Sequence, residues 1–271
     1  SDVYKRQTFI FSKKDGQLKG VSVDNRKISF ANGPRFIGAR RADRSLDQFY
    51  NHDDEKAKEK DRTYSEFPDA AVFTKLDVKE DGGNLVVTAN YKLGNLDKAQ
   101  WTINPSGDLA LDYTYNFSGV VDLMGIRFDY PEDQVISKRW LGAGPYRVWQ
   151  NRIHGTQYDV WENDYNDPIP GETFTYPEFK GYFGNVSWMN IQTKEGTISL
   201  TNETPDAYIG VYQPRDGRDR LLYTLPESGI SVLNVIPPVR NKVNSTDLCG
   251  PSSQPKWVNG PQTGRVIFRF M

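Results

Sequence analysis

The chain has 271 residues and a net charge of -1, so no electrostatic bias draws it toward nucleic acid or an anionic membrane surface. One cysteine, Cys249, excludes an internal disulfide or a cysteine-based metal cluster; two histidines, His52 and His154, leave little for a histidine metal site, and no cofactor is expected. No apolar run approaches the roughly 20 residues of a membrane span, yet aromatic residues make up 13% of the chain and supply apolar area for a core.

Residues 1–7 carry neither an initiator Met nor a basic-then-apolar signal segment, and they run at once into the strand-like Thr8-Phe9-Ile10-Phe11. They are read as non-native or as a linker remnant of a longer polypeptide, and residues 8–271 as one domain. Short strands are expected over residues 18–23 and 27–31. Residues 42–62 are charged and free of Pro and Gly, which predicts a solvated surface excursion or one short polar helix. Strands follow over 70–78 and 84–91. Residues 99–103 lead through the turn signal Asn104-Pro-Ser-Gly107 into Asp108-Leu-Ala-Leu-Asp-Tyr-Thr-Tyr-Asn-Phe117, whose period of two completes a hairpin. Further strands are expected over 134–140, 186–192, 197–201, 208–212, 231–235 and 265–270. Many short strands punctuated by Gly and Pro, without alternating helices, predict an all-β sandwich.

Aromatic residues crowd between Trp140 and Trp188, where 12 of 49 residues are Trp, Tyr or Phe. Carboxylates, Arg147, Arg152 and several Asn share the stretch, and Pro168, Pro170, Gly171 and Pro177 predict long loops in it. Aromatic faces beside carboxylates and amides suit sugars: the C–H face of a pyranose stacks on a ring while its hydroxyls take directional hydrogen bonds. The same aromatics would equally serve a sandwich core, so a packing role stands beside the binding role for each of them.

Trp140-Leu-Gly-Ala-Gly-Pro145, followed by Tyr146-Arg-Val-Trp-Gln-Asn-Arg152, resembles the aromatic-x-Gly-x-Gly-Pro…Asp/Asn-Arg signature of the last domain of family 2 β-galactosidases. Tyr176-Pro-Glu-Phe-Lys-Gly181 and Val186-Ser-Trp188 are similar to that domain's Pro-Gln-Glu-x-Gly segment and the strand after it. Asp15-Gly-Gln-Leu18, Gly33-Pro34 and the closing Val266-Ile-Phe-Arg-Phe270 fall in the same order, so the resemblance covers residues 8–271. It implies a β-supersandwich of the galactose-mutarotase-like type. It also implies a carbohydrate-facing domain that shapes the substrate entrance of an upstream catalytic barrel in the same parent polypeptide. The two catalytic glutamates of that family lie in the barrel, so no catalytic residue is assigned to this chain. Candidate carbohydrate-binding residues are Tyr146, Arg147, Trp149, Arg152, Trp161, Tyr165 and Glu178. The chain departs from the family in the loop after Gly33-Pro34, which reads Phe36-Ile-Gly-Ala-Arg-Arg-Ala-Asp43, and it has no Trp in Gly229-Ile-Ser-Val-Leu-Asn234, so galactose specificity is not implied. Trp257 is placed in a Ser/Pro loop.

Two other functions stand as alternatives: a free-standing carbohydrate-binding module, and a mutarotase-like aldose epimerase with His154 and Glu178 as its acid and base. Asn202-Glu203 mimics the acid/base pair of glycosidase barrels but sits at a strand end. Cys249 has no evident His partner. The expected partner is a saccharide, with neither nucleic acid nor membrane. A periplasmic or extracellular location would follow from a signal peptide on the parent.

Overall fold

A computed structural model describes residues 7–41, 64–165, 181–211, 226–238 and 250–271. The first strands are β1 (Gln7–Phe11), β2 (Leu18–Val23), β3 (Arg26–Ile28), β4 (Ala31–Arg41), β5 (Tyr64–Glu66) and β6 (Val72–Asp81). Next come β7 (Asn84–Lys92), β8 (Leu96–Ile103), β9 (Leu109–Val121), β10 (Leu123–Asp129), β11 (Val135–Gly144) and β12 (Gln157–Asp164). The last are β13 (Trp188–Thr193), β14 (Gly196–Asn202), β15 (Tyr208–Val211), β16 (Ile230–Val235) and β17 (Lys256–Phe270). Among the described residues, two single turns of 3-10 helix complete the regular structure and no α-helix occurs. The polar helix considered for residues 42–62 lies outside the described residues.

The strands form two antiparallel sheets. An eight-stranded sheet runs β1-β2-β4-β10-β16-β15, with β3 beside β2 and β5 beside β4; a nine-stranded sheet runs β12-β11-β13-β14-β17-β9-β8-β7-β6. The period of two seen in the sequence becomes a two-faced strand. In β9, Leu109, Leu111, Tyr113 and Tyr115 belong to the core between the sheets, and Asp112 and Thr114 alternate with them. Thirteen consecutive partners join β9 to β17, from Lys256 opposite Val121 to Phe268 opposite Leu109.

Aromatic rings tie one sheet to the other. Phe128 of β10 lies 4.8 Å from Phe30, 5.4 Å from Phe268 of β17 and 6.0 Å from Trp101 of β8, ring centre to ring centre. Phe30 is 5.0 Å from Phe268, so the contacts form a closed cluster across the sandwich. At one margin the β13–β14 turn clamps the sheets together. Glu195 accepts hydrogen bonds from the Ser29 backbone N–H at 2.8 Å, the Ser29 hydroxyl at 2.6 Å and the Tyr130 hydroxyl at 2.9 Å.

Two expectations are corrected here. Residues 36–41, placed in the loop after Gly33-Pro34, continue β4, whose Phe36 points into the core. Trp257, placed in a loop, stands in β17 opposite Val120. Strand β12 was not foreseen, because its Asp159, Glu162 and Asp164 disguise it; it is a sheet edge, where charge is the usual guard against further pairing.

Removing the Phe128 ring by Phe128→Ala is expected to destabilise the fold by about 3–5 kcal/mol, read from urea melts. At the β8–β9 hairpin, Arg269 donates to Asp108 at 2.6 Å, and this bond, with help from Asn104 and Ser106, holds the Asp108 carboxyl below its ordinary 3.8. A depressed carboxyl contributes stability above its unfolded value and loses it as pH falls through the folded one. The pair is partly exposed, so its worth is about 0.2–1 kcal/mol. Arg269→Ala should therefore be less stable than the parent at pH 7, the gap closing as the pH drops below about 4.

Candidate functional site

The outer face of the eight-stranded sheet carries a broad polar cleft. On β4 and β10, Phe36, Ile126 and Phe128 point inward, so Arg35 and Arg127 point outward, and the two arginines are direct cross-strand partners. Like charges facing one another are unfavourable unless each is neutralised. Arg127 Nη2 meets Glu66 at 2.7 Å and Arg127 Nη1 donates to the Glu227 carbonyl, while Arg35 pairs with Asp129. Asn32 fixes the other Asp129 oxygen at 2.8 Å and accepts from Lys19 at 3.1 Å; Lys19 in turn pairs with Asp15 at 2.8 Å. Asn32, Arg35, Glu66, Arg127, Asp129 and Glu227 line a cleft of about 840 Å³, together with Tyr130, Glu132, Ser29 and Ser228.

The electrostatics of the rim follow from this arrangement. Desolvation by the surrounding chain raises the Asp69 carboxyl above its ordinary value; the Ala71 backbone N–H, which donates to it, and then Arg127 and Arg35 pull it the other way. Burial, and the Glu195 carboxylate beside it, lift the Tyr130 hydroxyl well above its ordinary range, so it remains a donor at neutral pH. Within the cleft, both sheet carboxylates are engaged by guanidinium groups. That suits an ordered array of donors and acceptors for hydroxyls better than it suits proton transfer.

The other half of this sheet face is dry. Ile37 and Ala39 of β4, Leu123 of β10 and Leu233 of β16 are roofed by Val148, Trp149 and Tyr182, forming a second apolar cluster. Trp149 is fully buried there, edge-on to Tyr182 at 5.8 Å. Gln150 anchors the roof by donating to the Ser252 and Gln254 carbonyls, each at 2.7 Å.

The predicted sugar residues divide along this line. Arg147 is buried, its guanidinium 5.9 Å from the Phe183 ring centre. Trp161 is half-buried against the main core; its indole N–H donates to the Gln157 carbonyl at 3.2 Å. Its close fit depends on Gly144, where a Cβ would lie 2.3 Å from the indole ring. Tyr165 donates to Glu132 at the cleft, and its ring covers the buried Lys138 ammonium at 5.2 Å. Tyr146 is half-buried with its hydroxyl against Gly155, and Arg152 is exposed. Glu178 lies outside the described residues, as do His52 and Cys249. Thus, among the described candidates, only Tyr165 touches the cleft, through Glu132. Arg35, Glu66, Arg127, Asp129 and Glu227 were not singled out from the sequence. The available signal was a charge breaking an apolar run, as in Ile126-Arg-Phe-Asp129, but nothing local showed that β4 and β10 are neighbours.

No curated protein matches the chain in sequence, whereas solved structures, three of which follow, are similar to it. Galactose 1-epimerase from Lactobacillus acidophilus NCFM is similar over 98% of this chain and 99% of that one, at 10% identity and a TM-score of 0.50. Alpha-N-acetylgalactosaminidase NagBb from Bifidobacterium bifidum, in complex with GalNAc, aligns over 98% of this chain at 12% identity and a TM-score of 0.43; the chain spans 35% of that protein's length. A GalM/aldose epimerase homologue from C. elegans aligns over 98% of this chain and 99% of that one, at 8% identity and a TM-score of 0.35. The first of these establishes the fold, an all-β double sheet of the galactose-mutarotase type, and at that identity nothing about activity. The profile of the beta galactosidase small chain matches residues 4–244, and the chain belongs to that family.

Proposed function

We propose that this chain is the carbohydrate-facing domain of a β-galactosidase-type family 2 glycoside hydrolase, shaping the substrate entrance of a catalytic barrel in the same polypeptide. Residues 8–271 act as one unit in this reading. The observation that carries it is the family match over residues 4–244 on a mutarotase-like double sheet. The outer-face cleft supports it with fixed donors and acceptors of the kind that read hydroxyls. Trp257, with 71% of its surface exposed on β17, adds an aromatic face free to meet a sugar ring. Among the predicted residues, Arg152, Tyr146 and Tyr165 keep surface that can reach a saccharide, whereas Trp149 and Arg147 support the loop from behind.

The epimerase alternative asks for an acid and a base converging on one sugar. His154, the one histidine among the described residues, is exposed in a turn and does not line the cleft. A glycosidase centre of its own would require one protonated and one ionised carboxyl about 5–5.5 Å apart for a retaining enzyme. Glu66 and Asp129 are instead each held by an arginine.

Sequencing the source DNA upstream of Ser1 tests the proposal. The expected result is a frame that continues into a strand–helix barrel with two candidate glutamates; a start codon or signal peptide just before Thr8 overturns it. The purified chain should release no nitrophenol from nitrophenyl β-galactoside and leave galactose mutarotation at its spontaneous rate in a polarimeter. Faster mutarotation that His154→Ala abolishes would establish the epimerase instead.

A further inference from the structure

Away from the outer-face cleft, a second concavity of about 400 Å³ opens where the start of β12 meets the chain leading into β15. Its lining includes the rings of Tyr158 and Tyr208, the polar side chains of Asn185 and Asp206, and a floor of Val148 and Gly184. Tyr158 keeps 53% of its surface exposed, far more than a ring placed for packing, and its hydroxyl is pinned to the Ser187 hydroxyl at 2.6 Å. A pinned, solvent-facing phenol is a preorganised platform, because the entropy of orienting the ring is already lost before any ligand arrives. Asn185 and Asp206 adopt left-handed backbone conformations, φ 48° and 54°, which these two residue types tolerate better than most. Both side chains are exposed, and neither has a hydrogen-bond or ion-pair partner among the described residues. The floor is kept low by Gly184: a Cβ there would come to 3.1 Å from Val148 and 3.6 Å from the Tyr208 ring.

We propose that this pocket is a second saccharide site, holding a single pyranose residue with its C–H face on Tyr158 and its hydroxyls bonded to Asp206 and Asn185. Several observations favour this ligand class. The volume falls at the small end of ligand pockets, where one sugar ring fits. The one charge among its lining residues, Asp206, accepts hydrogen bonds, which disfavours an anionic ligand and suits hydroxyl donors. The apolar contribution combines the rings of Tyr158 and Tyr208 with Ala143, Val148 and Ile153 in a concavity of only about 400 Å³, which matches a flat amphipathic ligand and is too small for a lipid chain. The inference deepens the carbohydrate-facing reading but does not depend on an upstream barrel.

Saturation-transfer NMR with galactose and lactose as probes tests it on the purified chain. The expected result is transfer to the sugar ring protons that falls roughly three- to tenfold in Tyr158→Ala and in Asp206→Ala. Gly184→Ala, which raises the floor without removing any contact group, should weaken transfer as well while leaving the circular dichroism spectrum and Tm near the parent's. Absence of transfer from both sugars overturns the pocket. So does transfer that persists in Tyr158→Ala and Gly184→Ala but is lost in Glu66→Gln. That last pattern would move the sugar to the outer-face cleft and leave the carbohydrate-facing reading standing.

Discussion

The ring-to-ring contacts between the eight-stranded and nine-stranded sheets hold the molecule together, those of Phe128 with Phe30, Phe268 and Trp101 at their centre and that of Phe36 with Tyr115 beside them. A sheet with one apolar face has no reason to stay in water alone; two such faces remove each other's apolar surface from solvent. Planar rings do this economically in strands of modest hydrophobicity, since each buries a large area and meets its neighbours stacked, tilted or edge-on. The chain is polar on average for this reason. Apolar surface is concentrated in alternate positions of the strands, and the remaining positions are free to be charged.

That freedom is used unevenly on the outer face of the eight-stranded sheet. Where the loop bearing Val148 and Trp149 folds over the sheet, the outward positions are Ile37, Ala39, Leu123 and Leu233, and water is excluded. Where no described segment covers the sheet, the same alternation carries Arg35, Arg127 and Asp129. The change from a dry face to a charged one takes place within single strands: β4 passes from Arg35 to Ile37 and β10 from Leu123 to Arg127. Arginines opposite each other are tolerated because Glu66, Asp129 and the Glu227 carbonyl meet their donors. The result is a rigid polar surface on a β scaffold, a better support for recognition than a loop whose side chains must first be ordered.

Much of the strand pattern was legible beforehand. The 108–117 alternation, the Asn104-Pro-Ser-Gly107 turn and the strands at 18–23, 197–201 and 231–235 all follow from side-chain period and turn chemistry, both of which are local. The Trp140 to Arg152 block pointed correctly to the family, because its glycines and aromatics report close approaches that the fold requires; Gly144 against Trp161 is one. Strand β12 was hidden, since an edge strand exposed on its free side tolerates the charges that mark loops elsewhere. The first half of β17 was hidden too, because Pro261, Gly260 and Gly264 read as punctuation.

The amino-acid sequence by itself determined the class of the molecule: an all-β chain of two-faced strands, rich in aromatics, with the ordered motifs of a β-galactosidase small chain. Which aromatics meet solvent is settled by packing between strands. Trp149 and Trp140 are sealed in apolar clusters while Tyr158 and Trp257 stand in water, although all four are large rings in strands or tight turns. Only the tertiary structure brought Arg35 to Arg127 across 92 positions of chain. The physical reason is the same in both cases. A side chain's period along its own strand is set by covalent geometry, whereas what covers that strand, and which strand lies beside it, is set by contacts between residues far apart in sequence.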